Sequence, residues 1–118
     1  APFALLGLDE RKRIMAANPE AQSVLGHSER AMYRKPLSEI LFHDSPVFGL
    51  IDRALDLKGD VSAPGIPISG PGLRKQQLVD MRLRPLPDGS LVIAMPESND
   101  TSDIIHSESR RIERLVSR

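Results

Sequence analysis

The sequence predicts an α+β domain: a five-stranded antiparallel sheet with short helices and one longer helix on one face, followed by a separate C-terminal helix. Three observations predict it. Two short apolar runs open the chain. Several capped helical segments follow in succession. Three further strand-like runs then close the domain. Strands, then helices, then strands is the pattern of an antiparallel sheet into which helices are inserted.

The elements follow in order. Residues 3–8 are apolar, bounded by Asp9-Glu10, and read as a first strand; residues 13–17 read as its hairpin partner through the charged turn. Asn18-Pro19-Glu20-Ala21-Gln22-Ser23-Val24-Leu25-Gly26 is a complete short helix with its signals. Asn18 is a strong N-cap, Pro19 fits the first helical position, Glu20 complements the helix dipole and Gly26 suits a left-handed end. As a cap alone, Asn18 is expected to contribute roughly 1 kcal/mol. Ser28 caps a second short helix through about residue 33, and Lys35-Pro36 breaks it, because a residue before proline avoids the helical region. Residues 37–41 have room for one more turn. Ser45-Pro46 repeats the cap-then-proline signal, and Val47, Leu50, Ile51, Ala54 and Leu57 then recur at helical spacing, with Gly59 as the expected stop.

Residues 61–69 contain Pro64 and Pro67, so a strand there belongs at an irregular edge. Gly70-Pro71-Gly72 reads as a turn or mobile loop. Residues 77–86 alternate, with Val79, Met81 and Leu83 on one face and Asp80, Arg82 and Arg84 on the other, as in a half-buried antiparallel strand. Pro87-Asp88-Gly89 is a turn, and residues 90–95 form the last strand.

The character changes after Pro96. Residues 1–97 read as one domain and residues 98–103 as a polar linker. Residues 104–118 read as an amphipathic helix, either the start of a coiled coil or part of a dimerisation helix. Ile105 and Ile112 are one heptad apart, Leu115 follows three residues later, and Val116 widens the stripe. A helix this short is marginal alone in water and calls for a partner, so a homodimer is expected.

Composition narrows the function. Sixteen basic and sixteen acidic residues cancel, without the concentrated basic footprint of a nucleic-acid binder. The absence of cysteine excludes disulfides, thiolate zinc sites and cysteine nucleophiles. Neither a long apolar run nor a signal-peptide pattern is present, so the expectation is a cytoplasmic protein away from the membrane. A start at Ala1-Pro2 reads as a piece of something longer.

The local signatures Asn18-Pro19-Glu20-Ala21, Leu25-Gly26, Lys35-Pro36-Leu37, and Val79-Asp80-Met81 leading through Pro85-Leu86-Pro87-Asp88-Gly89 into Leu91-Val92-Ile93 resemble those of PAS domains. The last of these most resembles the sensory PAS domains of bacterial nitrogen-regulation histidine kinases, over roughly residues 3–97. The resemblance implies a sensing and dimerisation module of a two-component kinase, with a phosphotransfer helix pair and ATPase domain elsewhere in the parent. The phosphoacceptor motif of that family, His then Glu and shortly after Asn-Pro, is missing around His106-Ser107-Glu108-Ser109. Residues 104–118 also look like the later helix of a phosphotransfer pair, which would place a missing segment before them. The resemblance leaves open a small-molecule receptor domain of another signalling protein or transcriptional regulator. Without cysteine, the flavin-adduct chemistry of light-sensing relatives is excluded.

Candidate chemistry is sparse. His27, His43 and His106 are dispersed where a metal site needs three or four ligands, and His43 falls on a loop before the Ser45 cap, so neither haem nor metal is expected. His106 and Glu108 do not share a helix face. Ser23, Ser28 and Ser45 lack a surrounding triad. Gly70-Pro71-Gly72-Leu73-Arg74-Lys75 lacks phosphate-loop spacing. Met32, Tyr33, Phe42, Phe48, Met81 and Ile93 could line an internal cavity; a filled aliphatic core without cofactor is the simpler expectation, and no catalytic residue is assigned.

Overall fold

The computed structural model describes residues 3–71, 73 and 76–95. The element order is β1 (Ala4–Leu8), β2 (Ile14–Ala17), α1 (Pro19–Leu25), α2 (Glu29–Met32), α3 (Leu37–Ile40), α4 (Pro46–Leu57), β3 (Val61–Ile68), β4 (Gln77–Pro85) and β5 (Leu91–Met95). One antiparallel sheet contains all five strands in the order β2-β1-β5-β4-β3. First and last strands therefore meet at its centre, Leu6 opposite Ile93 and Gly7 opposite Val92.

One face of the sheet and the helices share a single aliphatic core. Leu6, Leu8, Val79, Met81, Leu83, Ile93 and Met95 contribute from the sheet, and Val24, Leu25, Met32, Leu37, Val47 and Ile51 from the helices. The alternation in β4 places Val79, Met81 and Leu83 inward, as their spacing predicts.

The β1–β2 turn is held by one carboxylate. Asp9 accepts at Oδ1 from the backbone N–H groups of Arg11 and Arg13, both at 2.9 Å, and at Oδ2 from Arg13 Nε at 2.9 Å. Partial burial pushes the carboxyl upward, but the two backbone N–H groups and the guanidinium outweigh it and hold Asp9 below its ordinary value of 3.8. A depressed folded-state value means that the bonds contribute fully above pH 3.8 and are lost as pH falls below it. Asp9→Asn is therefore expected to be less stable than the parent at neutral pH, with the gap closing in acid. Urea unfolding at pH 7 and pH 3 would measure it, and a gap equal at both pH values would remove Asp9 as the cause.

Edge strand β2 is not left open. Lys35 O accepts from Ile14 N at 2.9 Å, Arg34 N donates to Ile14 O at 2.7 Å, and Arg13 pairs with Pro36 in an antiparallel bridge. The Lys35-Pro36 step thus does more than break α2: it lays the α2–α3 connection along the free edge, where unpaired backbone groups invite aggregation. Edge strand β3 carries the expected prolines and a bulge between Ala63 and Ile66, with Gly65 at φ +62°.

Two details of α4 differ from the sequence expectation. The left-handed stop is Lys58 at φ +52°, one residue before Gly59, and Leu57 is 62% exposed because the helix ends as its stripe turns away from the sheet. Gly70 opens the expected turn, with Leu73 N donating to its O at 3.0 Å, but it also has a packing role that the turn reading does not reveal. It is buried against the end of α3, where Phe42 N donates to Ser69 O at 3.3 Å.

Candidate functional site

The strongest local construction lies where β1, β2 and α1 meet. Asn18 has extended backbone, and its Oδ1 accepts from Ala21 N at 2.9 Å, capping α1. The same oxygen accepts from Leu5 N at 2.9 Å, and Nδ2 donates to Phe3 O at 3.0 Å. One side chain thus caps a helix and extends the sheet ladder, a second role that the cap motif alone does not reveal. Ala17, just before it, is also held by side chains: Glu29 Oε2 accepts from its N–H at 2.8 Å and Gln22 Nε2 donates to its O at 3.1 Å. Helices α1 and α2 are therefore tied to the sheet by hydrogen bonds as well as by packing.

The six residues proposed to line a cavity separate. Met32, Met81 and Ile93 are buried in the core, and Phe48 packs against it while partly exposed. Tyr33 and Phe42 are corrections, being 49% and 47% exposed. Tyr33 ends α2 and carries its ring beside the Arg34 guanidinium, 5.6 Å from the ring centre. Phe42 follows α3 at a point where the chain turns outward. Aliphatic side chains fill the space between helices and sheet.

The clefts lie elsewhere. One of about 360 Å³ opens on the outer, helix-free face of the sheet between Phe3, Ala63, Pro64, Arg82 and Ala94. A second, of about 370 Å³, continues beside Leu5, Gly7, Ala16 and Val92. Among the described residues no group of three or more His, Asp or Glu side chains could hold a metal ion, and no helix is long and apolar enough to cross a membrane. The stripe of Ile105, Ile112, Leu115 and Val116 lies outside the described residues.

A five-stranded antiparallel sheet in the order 2-1-5-4-3, with the helices inserted between its second and third strands, is the architecture of sensory PAS domains, and this chain has the PAS fold. It superposes on the PAS domain of nitrogen regulation protein NR(II) from Vibrio parahaemolyticus with a TM-score of 0.69 at 20% identity, covering 80% of this chain and 88% of that one. A PAS domain from a two-component sensor histidine kinase gives a TM-score of 0.64 at 17% identity, over 82% and 86% of the two chains. In sequence, the chain is 30% identical over 92 residues to the sensory histidine kinase/phosphatase NtrB of Rhizobium meliloti (strain 1021). That alignment covers 76% of this chain, which spans about a quarter (24%) of the relative's length. No model of a protein family matches the chain.

Proposed function

We propose that this chain is the sensory PAS module of a bacterial nitrogen-regulation histidine kinase, working in the cytoplasm. The observation that carries this reading is the 30% identity to a sensory histidine kinase/phosphatase over most of the domain. In this reading residues 1–97 sense and dimerise. Residues 98–103 connect them to residues 104–118, an amphipathic helix that passes the signal to a kinase core elsewhere in the parent. The module carries no catalysis of its own and takes no cofactor; its work is conformational.

The dimer is held at least in part by Ile105, Ile112 and Leu115, whose pairing across two copies removes apolar surface from water at about 25 cal/mol per Å². Changing both Ile112 and Leu115 to Asp is expected to weaken self-association while the domain's circular dichroism and melting stay those of the parent. Sedimentation equilibrium of both chains is the measurement. A double variant as dimeric as the parent would remove the tail from the interface, and a parent monomeric at high concentration would end the dimer reading. The kinase reading has its own test: the full-length parent, incubated with labelled ATP, should acquire acid-labile phosphohistidine, and a parent that acquires none is not a histidine kinase.

A further inference from the structure

The fold gathers basic residues that the sequence keeps apart. The α2–α3 connection runs along the free edge of β2: Leu37 N donates to Lys12 O at 3.0 Å, Ile14 N to Lys35 O at 2.9 Å and Arg34 N to Ile14 O at 2.7 Å. Paired segments lie about 4.8 Å apart. Arg11, Lys12 and Arg13 therefore stand within a side chain's reach of Arg34 and Lys35, which follow only after α1 and α2. Every residue from Tyr33 to Pro36 is exposed. Lys12 at φ +63° and Arg34 at φ +64° hold left-handed backbone without being glycine. Such positions persist only where the surroundings over-determine them. Here the three backbone bonds do so, and the charges sit on a fixed frame.

The positive charge is not cancelled locally. Asp9 is committed to Arg13, Asp52 to Lys12, and the Glu29 carboxylate to Ala17 N. Glu10 lies against the β4–β5 turn, its Cβ 3.4 Å from where a Gly89 Cβ would stand. Residues 30–38 contain no acidic residue. Arg11, Arg34 and Lys35 are exposed and have no ion-pair partner among the described residues. In a chain whose basic and acidic residues balance, this edge holds a local excess of positive charge. A surface of that kind steers and orients a partner of opposite charge.

We propose that this edge docks a short acidic segment of a different protein. Its size suits a peptide, since residues 34–37 span roughly 10–13 Å at about 3.3 Å per residue. A single-stranded nucleic acid gains much of its affinity by stacking bases on aromatic rings. Here the Arg34 guanidinium already lies over the Tyr33 ring, 5.6 Å from its centre. A membrane surface calls for apolar anchors beside the charge, but Met32 and Leu37, which flank the connection, are buried in the core. A two-fold contact between copies would set the patch against itself, like charge on like. The inference does not depend on the kinase reading, and it leaves the Ile105, Ile112 and Leu115 stripe available for pairing.

The test titrates the full chain with a labelled Glu-Ala repeat peptide at low salt. Anisotropy gives the affinity, and nitrogen–proton correlation spectra give the location. Peptide-induced shifts should concentrate at residues 11–15 and 33–37. Arg34→Glu with Lys35→Glu should weaken binding roughly tenfold, as expected when two ion pairs become two repulsions. Arg11→Glu with Lys35→Glu leaves the left-handed Arg34 untouched and should do the same. Arg82→Glu, on β4 and three strands away, should change the affinity less than about twofold. Melting curves verify the fold of each variant. Both double variants binding as the parent does would overturn the proposal, as would shifts spread equally to the surroundings of Arg53 and Arg82. Tighter binding of a single-stranded oligonucleotide or of phosphatidylserine vesicles at the same salt would also overturn it. So would self-association of the parent that Arg34→Glu with Lys35→Glu abolishes, because that result assigns the edge to a second copy.

Discussion

Gly70→Ala is expected to be the most damaging single-methyl change in the domain. A Cβ built at Gly70 would overlap Ile40 O and stand 3.1 Å from Ile40 C and 3.2 Å from Leu41 Cα. All three are backbone atoms, so no flexible side chain can swing aside. Relief requires the end of α3 to part from the end of β3, which breaks the Phe42–Ser69 hydrogen bond and loosens Ile40 and Leu41, both buried. Overpacking typically costs 1–3 kcal/mol, and with rigid backbone on both sides the expected loss is about 3 kcal/mol or more. Gly49→Ala is the matched control. Gly49 lies in α4 with nothing within 4 Å of its would-be Cβ, so alanine there should stabilise by about 0.5–1 kcal/mol through helix propensity. Urea unfolding of both variants is the measurement, and a Gly70→Ala chain as stable as the parent would show that α3 and β3 can part freely at this point.

Gly70 also shows what the sequence does not reveal. Between two prolines and among three glycines, it reads as a turn like any other, because its role is set by a helix thirty residues earlier. What the sequence does reveal is local. The helix α1 spans the residues that Asn18, Pro19 and Gly26 bracket, since cap, first turn and left-handed end are each specified within a few positions. The inward face of β4 follows from strict alternation. Errors appear where a long-range neighbour decides. Tyr33 and Phe42 are aromatic and flank buried residues, yet Tyr33 directly follows the one-turn helix α2 and Phe42 stands two residues beyond the end of α3, next to the buried Leu41, and both rings lie about half exposed. Lys58 takes the left-handed position in place of Gly59 because helix length is set by packing of Ile51 and Ala54, not by the nearest glycine. The outer-face clefts leave no signal in the sequence, since they form only when β1 and β5, from opposite ends of the domain, become neighbours.

Asn18 is where a locally legible motif acquires a long-range role, and its replacement should cost more than a cap does. Alanine removes the cap on Ala21 N, worth roughly 1 kcal/mol, and also strips Leu5 N and Phe3 O of partly buried partners, each costing on the order of 1 kcal/mol. The expected loss for Asn18→Ala is therefore about 2–3 kcal/mol, a fall in Tm on the order of 10 °C or more for a domain of this size. Two further substitutions separate the roles. Asn18→Asp keeps both acceptor bonds but loses the donor to Phe3 O and sets a carboxylate against that carbonyl, so it should fall between alanine and the parent. Asn18→Ser can cap α1, but its side chain is too short to reach Phe3 and Leu5 as well, so it should recover only about the cap's 1 kcal/mol relative to alanine. Hydrogen exchange locates the damage. With alanine, Leu5 N–H should lose protection together with the start of α1, whereas serine should restore only the helix. If serine restores full stability, Asn18 is a cap and nothing more, and the tie between β1 and α1 rests on the Asn18 N to Leu5 O backbone bond at 3.1 Å and on core packing.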